Sequence, residues 1–221
     1  MTDSRELYPL IVVDVAIFSV EEGALKVLLV QRAQDPEVRR WALTGGILKP
    51  NVDNSLEAAA RRILIDKIGV DVSHVEEVRT FSGPNRDARG WSVSILFYAL
   101  LPQDQLNVIV RSKVEALEWA VASKPGDRMA FDHATQLAVA VQVLKHKVEQ
   151  NALPLHLMPS RFTLTELQRT CEAILGHSLD KGVFRRRLRG SRDLVELGEF
   201  VGGAQRPAQL YQAREGFRFM E

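Results

Sequence analysis

Residues 45–70 read GGILKPNVDNSLEAAARRILIDKIGV, and this stretch decides what the N-terminal part of the chain can be. Two glycines lead into a polar loop. Apolar residues then fall at 56, 59, 60, 63, 64 and 68, which is helical spacing, so a helix is expected over 55–68. Gly69 and Val70 close it. The frame is that of a loop and helix holding a metal beside a phosphate, yet most of the carboxylates such a site needs are missing. Taken alone, the segment reads equally as an amphipathic core helix preceded by a glycine turn. Its neighbours have to decide.

Upstream, LIVVDVAIFSV (10–20) and LKVLLVQRA (25–33) are rich in β-branched residues and joined by a turn signal at 21–23, a hairpin pattern. WALTGG (41–46) reads as a short strand ending at the glycines. Downstream, HVEEVRTFSG and WSVSILFYALL read as strands flanking the turn-rich GPNRDARG, and EALEWAVA as another short one. Asp132 is expected to cap a long helix, HATQLAVAVQVLKHKVEQN. ALPLHLMPS (152–160) carries two prolines and is the linker candidate. Beyond it, Thr163-x-x-Glu166 is a capping box, with Phe162 and Leu167 as its hydrophobic staple. A second helix, KGVFRRRLR, starts after Asp180 and stops at Gly190; two strand-like segments follow around GGAQRP.

The composition is that of a soluble globular protein: of 221 residues, 46% are apolar and 26% charged. No run approaches the roughly 20 apolar residues of a membrane span. Leu10–Val20 is short, interrupted by Asp14 and without a basic leader, so neither membrane nor secretory signal is expected. The lone cysteine, Cys171, forms no internal disulfide, in keeping with a reducing cytoplasm, and its helical apolar setting marks a core residue. Net charge is +1 but unevenly spread. Residues 159–221 hold 11 Lys and Arg against 8 Asp and Glu, a net +3, leaving 18 against 20, or −2, for residues 1–158.

The 45–70 pattern resembles the Nudix box, G-x5-E-x7-R-E-U-x-E-E-x-G-U. Anchored on Arg62, Gly69 and Val70, the helix aligns without gaps, and Gly46 lies two residues too far upstream. Asn54 then stands for the first glutamate, Ile63 for the glutamate after the arginine, and Asp66 and Lys67 for the final acidic pair. FSGPNRDARGWSVSILFYAL resembles the segment after the box in the ADP-ribose-related branch, as VLLVQRA and WALTGG resemble its entry strands, with Thr44 where proline is usual. The branch implies a site that binds a diphosphate. Here the altered acids predict no catalytic residue and no metal ligand. Arg32, Arg86 and Arg89 are candidates for bidentate diphosphate contacts, Gly45 and Gly46 for close backbone approach, and Trp41 for stacking. Each arginine reads equally as a structural ion pair, and Trp41 as a core residue.

Two short helices and then a hairpin are the order of a winged helix-turn-helix. On the second helix Phe184 and Leu188 share one face, while Gly182, Arg185, Arg186 and Arg189 turn to the other. Those residues, with Lys181, the amides at Thr163, and Arg206 at the wing tip, are the DNA-binding candidates; a solvated basic helix is the alternative. One gap remains, because PLHLMPSR (154–161) is too short and proline-broken for the first helix, and the long helix at 132–151 is expected to serve instead.

Together the two halves resemble the Nudix-related transcriptional regulators (NrtR). The resemblance implies an α+β protein, a Nudix-like α/β/α sandwich over 1–152 followed by a winged helix over 153–221. It further implies a cytoplasmic homodimer that represses NAD-metabolism genes from a palindromic DNA operator. ADP-ribose or a related NAD-derived metabolite is its expected effector, with no cofactor. An active Nudix hydrolase of ADP-ribose, and an RNA-binding or protein-interaction scaffold, are the alternatives.

Overall fold

The computed structural model describes residues 8–105, 109–127, 129–150, 152–202 and 207–219. β1 (Leu10–Glu21) and β2 (Ala24–Arg32) form the expected antiparallel hairpin. Its two-residue turn places Glu22 at φ 51° and Gly23 at φ 72°, the left-handed pair that matches the twist of a hairpin. The expected WALTGG strand is instead two pieces. β3 (Trp41–Ala42) pairs with β2, and β4 (Thr44–Ile47) pairs with β1. The glycines therefore lie inside a strand, not at its end. The chain changes partner at Leu43, whose side chain is buried.

β5 (His74–Gly83) and β6 (Ser92–Leu100) are antiparallel to each other, β6 is parallel to β1, and β7 (Val114–Val121) completes the sheet on β2. The order is β3-β2-β1-β6-β5, with β4 also on β1. α1 (Leu56–Ile68) starts at Ser55, whose hydroxyl accepts from the Ala58 amide, and stops at Gly69 in the left-handed region. α2 (His133–Glu149) lies on the other face of the sheet. Side chains alternate along a strand. Val13, Val15 and Ile17 share a core with Ala59, Ala60, Ile63 and Leu64 of α1. Ala16 and Phe18 share the other core with Leu137, Ala140 and Leu144 of α2. The same parity sends Asp14 to the α2 side.

The expected linker at 152–160 is not a tether. Ala152, Leu153, Leu155, Leu157 and Met158 are buried, and Leu155–Leu157 forms a turn of 3-10 helix. Full burial of each such leucine contributes roughly 1.5–3 kcal/mol, so the prolines end α2 while the apolar residues hold the segment down. The core they enter runs without a break from Phe18 through Leu144 to Leu167, Cys171 and Phe184. After the last strand the chain returns to this seam, where Phe219 is buried and the Lys147 ammonium donates to its carbonyl (3.3 Å). No helix among the described residues is long and apolar enough to cross a membrane.

The C-terminal unit comprises β8 (Phe162–Thr163), α3 (Leu164–Leu175), α4 (Lys181–Leu188), β9 (Leu194–Val201) and β10 (Ala208–Ala213), with sheet order β8-β10-β9. α3 packs against α2, which fills the role of the missing first helix. The capping box is complete: the Glu166 amide donates to the Thr163 hydroxyl (3.2 Å), and the Thr163 amide donates to the Glu166 carboxylate (2.6 Å). Phe162 and Leu167 are both buried beneath it. Asp180 caps α4 by accepting from the Val183 amide (2.7 Å). α4 is shorter than expected. It ends at Leu188, and Arg189 is a C-cap residue in extended conformation.

Candidate functional site

A cavity of about 300 Å³ opens where β1 and β4 meet the C-terminal half of α1, the 84–90 loop and the start of α2. Its floor is made by absence of side chains. A Cβ on Gly45 would lie 1.9 Å from the Asp14 carboxylate, and one on Gly46 would lie 3.0 Å from Ile63. Glycine is needed at both positions because a charged group and an aliphatic group already occupy that space.

Asp14 is a buried anion of the site. It accepts from the Ser94 hydroxyl (2.5 Å) and the Gln136 amide (3.5 Å), and the His133 ring stands 3.6 Å away. Burial alone would raise its pKa. His133, the Ser94 hydroxyl and the Arg86 charge outweigh that and leave it below the usual carboxylate range. The Leu43 amide donates to His133 Nδ1 (3.0 Å), which orients the ring with Nε2 towards Asp14. A carboxylate inside a β-branched run is the signal that sequence reading passed over.

Five of the six expected effector residues line this cavity: Arg32, Gly45, Gly46, Arg86 and Arg89. Trp41 does not. It is half-buried against the core beneath α2, and its backbone pairs with the 129–130 segment. The aromatic group at the cavity is Phe131, with the Arg32 guanidinium 4.8 Å above its ring. The arginines are not equivalent. Arg86 makes a bidentate pair with Asp132 (2.8 and 3.1 Å) and a bond to Ser92. Arg89 is held by Asp87 (2.6 Å), which keeps its pKa raised. Asp132 thus spends its carboxylate on Arg86 and Gln136 rather than capping α2, contrary to expectation. Among the described residues Arg32 donates only to carbonyls, those of Pro36 (2.8 Å) and Gln34 (3.4 Å).

The helix arginine of the box is neutralised from an unexpected position. Arg62 donates to Asp53 (2.6 and 2.8 Å) and to Asp66 (3.3 Å). Asn54, which stands at the first glutamate in the gapless register, is exposed. The two extra loop residues let the chain fold back, so that Asp53 also accepts from the Lys49 amide (2.7 Å) and its carboxylate is shielded. Its pKa is lowered, first by the hydrogen bond from Arg62.

These residues do not fit a divalent cation. Asp53 and Asp66 are bound to Arg62, Glu57 is paired with Arg61 (3.1 Å), and Ile63 offers no ligand. Among the described residues no three His, Cys, Asp or Glu side chains are poised to hold a metal. Lys67 lines the cavity where the box has an acid. At ~4 Å with an effective dielectric near 20, a pair of unit charges interacts by about 4 kcal/mol, and the repulsion doubles for a divalent ion.

The second candidate surface is α4. Phe184 and Leu188 are buried, whereas Lys181, Gly182, Arg185 and Arg186 are exposed, as expected. Arg185 is 3.5 Å from the Thr165 hydroxyl, and Arg187 instead packs inward over Phe184 (5.9 Å). Arg189 is exposed but has left the helical face, because the helix ends one residue before it. The hydroxyl and amide of Thr163 are engaged in the capping box and do not point to a ligand. Arg206 lies outside the described residues. Cys171 is buried, and desolvation pushes its thiol up to about 12, so it is an inert core residue.

Comparison with known proteins joins the two surfaces. The model of the NUDIX domain family matches residues 10–137, and that of the NrtR DNA-binding winged helix domain matches residues 154–213. The ADPR responsive transcriptional repressor NtrR of Acinetobacter baylyi is 42% identical over 208 residues, covering 92% of this chain and 82% of its own. The crystal structure of Shewanella oneidensis NrtR complexed with a 27mer DNA superposes with a TM-score of 0.81 at 32% identity, over 92% of this chain and 93% of the other. The NUDIX domain of the same protein, complexed with ADP ribose, gives 0.58 at 33% identity, over 62% and 90%.

Proposed function

The chain belongs to the NrtR family, a NUDIX domain followed by an NrtR winged helix, and from that premise we propose that it is a DNA-binding transcriptional repressor released by ADP-ribose. A related NAD-derived metabolite of the same chemistry is included in the reading. The winged helix, 153–221, takes the operator, and the Nudix unit, 1–152, takes the effector. Support comes from the Acinetobacter relative, a repressor responsive to ADPR, and from the Shewanella relative, seen with DNA and with ADP ribose.

The observation that carries the DNA half is the exposed basic face of α4 above a buried Phe184 and Leu188. Arg185 and Arg186 are assigned to the major groove, with Lys181, Gly182 and Arg189 beside the phosphates. Thr163 is demoted to a helix cap, and Arg206 is kept as a wing contact. Dimerisation, a palindromic operator, NAD-metabolism genes as targets and a cytoplasmic location complete the reading. In the effector half, Arg32, Arg89 and Arg86 face the ligand from the cavity wall. The carboxylates that would support hydrolysis are bound to arginines, so the site is assigned to sensing and not to turnover.

Footprinting tests this reading. Protection of a defined site upstream of NAD-pathway genes, removed on adding ADP-ribose, is expected. A chain that binds random duplexes as tightly, or that releases phosphate from ADP-ribose in a coupled phosphatase assay at rates typical of enzymes, overturns it.

A further inference from the structure

We propose that Lys67, with Lys113 and Arg32, takes the place of the divalent cation, so that this pocket binds a diphosphate without metal. The inference deepens the effector reading above and concerns how the same site recognises its anion. Lys67 lies in the last turn of α1, half-buried, with its side chain on the cavity wall beside Gly46 and Ile63. Lysine in a last helical turn is also favoured by the helix dipole, but that role is met with the ammonium in solvent. Here burial is the leading influence, lowering its pKa, and the charges of Lys113 and Arg32 add to it.

The local charge is unbalanced in a particular way. Arg62, Arg86 and Arg89 each have a carboxylate partner, at 2.6, 2.8 and 2.6 Å. Arg32, Lys67 and Lys113 have none within ion-pair distance among the described residues; the nearest acid to Lys67, Asp66, is taken by Arg62. Lys67 and Arg32 are half-buried and Lys113 is exposed beside them; the three cations repel one another, and an anion placed between them relieves that repulsion. Asp14, Asp87 and Glu37 are close enough to act on Arg32, but none of them forms an ion pair with it; Asp14 is bound to Ser94 and His133, and Asp87 to Arg89. A diphosphate carries two or more negative charges on a short span, which matches the cluster in sign. In a metal-dependent pocket carboxylates would recruit the cation and the cation would recruit the phosphates. In this chain one ammonium does both.

Titration calorimetry on the full chain tests the inference with two probes, ADP-ribose and inorganic pyrophosphate, in EDTA and again with Mn²⁺. Equal affinity with and without metal is expected. Lys67→Met should weaken both probes by about tenfold or more, the scale of one lost charge-assisted contact, with unchanged affinity for adenosine and an unchanged melting curve. Lys67→Glu should lose binding in EDTA, and Mn²⁺ should not restore it, because the other acids remain bound to arginines. Metal-dependent binding by the natural chain, or a Lys67→Met variant that binds normally, overturns the inference. If pyrophosphate binds without metal and ADP-ribose does not, the inference stands and the effector reading falls; if neither binds in EDTA, the inference falls.

Discussion

α1 and α4 both carry clustered cations, and what surrounds each cluster separates structure from function. On α1, Arg61 is paired with Glu57 within the helix, and Arg62 with Asp66 of the helix and Asp53 of the preceding loop, so both arginines are spent on local structure. On α4, Arg185 and Arg186 are exposed and have no carboxylate partner among the described residues. A cation with a partner is part of the scaffold. A cation without one is available to a polyanion. Lys67 is the exception on α1, and it faces a cavity instead of solvent.

The contrast is broken most severely by reversing charge on the open helix. Arg185→Glu with Arg186→Glu should cost on the order of 4 kcal/mol in operator binding, about a thousandfold, measured by fluorescence anisotropy at fixed salt. Circular dichroism should be unchanged, because neither side chain packs in the core. Retained operator affinity would mean that α4 is not the reading helix.

Asp53→Ala probes the closed cluster and should do the opposite. It leaves Arg62, in a mostly shielded position, with Asp66 (3.3 Å) and the Ile47 carbonyl (3.2 Å), and should cost about 2 kcal/mol of stability, read from denaturant unfolding, with DNA affinity unchanged while the chain is folded. A stability equal to that of the natural chain would show that Asp53 is incidental to the loop.

The smallest effect sharpens the comparison by asking whether the two regions unfold together. At the seam the His156 ring stacks on His74 (4.6 Å) and meets Phe217. Burial, with His74 beside it, pushes the His156 pKa down from its ordinary 6.5 to about 4. The unfolded chain therefore binds this proton more readily. Stability is full above pH 6.5 and is lost as pH falls towards 4, by on the order of 1–2 kcal/mol. Glu76, beside His74 (3.4 Å) and held by Lys147 (2.5 Å) and Tyr98 (2.7 Å), has its pKa lowered to about 2 despite burial. Its contribution is present above 4.5 and fails as pH drops towards 2, mostly below the His156 window. His156→Phe should flatten the loss between pH 6.5 and 4 in one cooperative transition. Two separated transitions would contradict the single continuous core.

Local chemistry was the legible part of this molecule. The hairpin at 21–23, the span of α1, the capping box at Thr163 and the inward Phe184 and Leu188 follow from spacing and turn residues, and the structure has them. Partners distant in sequence were not legible. Arg86 finds Asp132 across 46 positions, which turned a supposed cap into an ion-pair partner. Asp53 reaches Arg62 because an inserted loop shifted the carboxylate by one place, which a gapless register hides. Trp41 looked available for stacking because sequence does not say that Phe131 arrives at the cavity instead. The prolines at 154 and 159 marked a boundary, but the leucines between them were the stronger signal, and they put the segment into the core.

The central claim is that occupancy of the cavity is felt at α4, through α2, whose start meets the cavity and whose side packs on α3. It is tested most directly by operator affinity measured with ADP-ribose bound to saturation, occupancy being verified separately. A loss of about 5–150-fold, the usual range for coupling between sites, is predicted. Undiminished affinity at verified saturation would contradict the account.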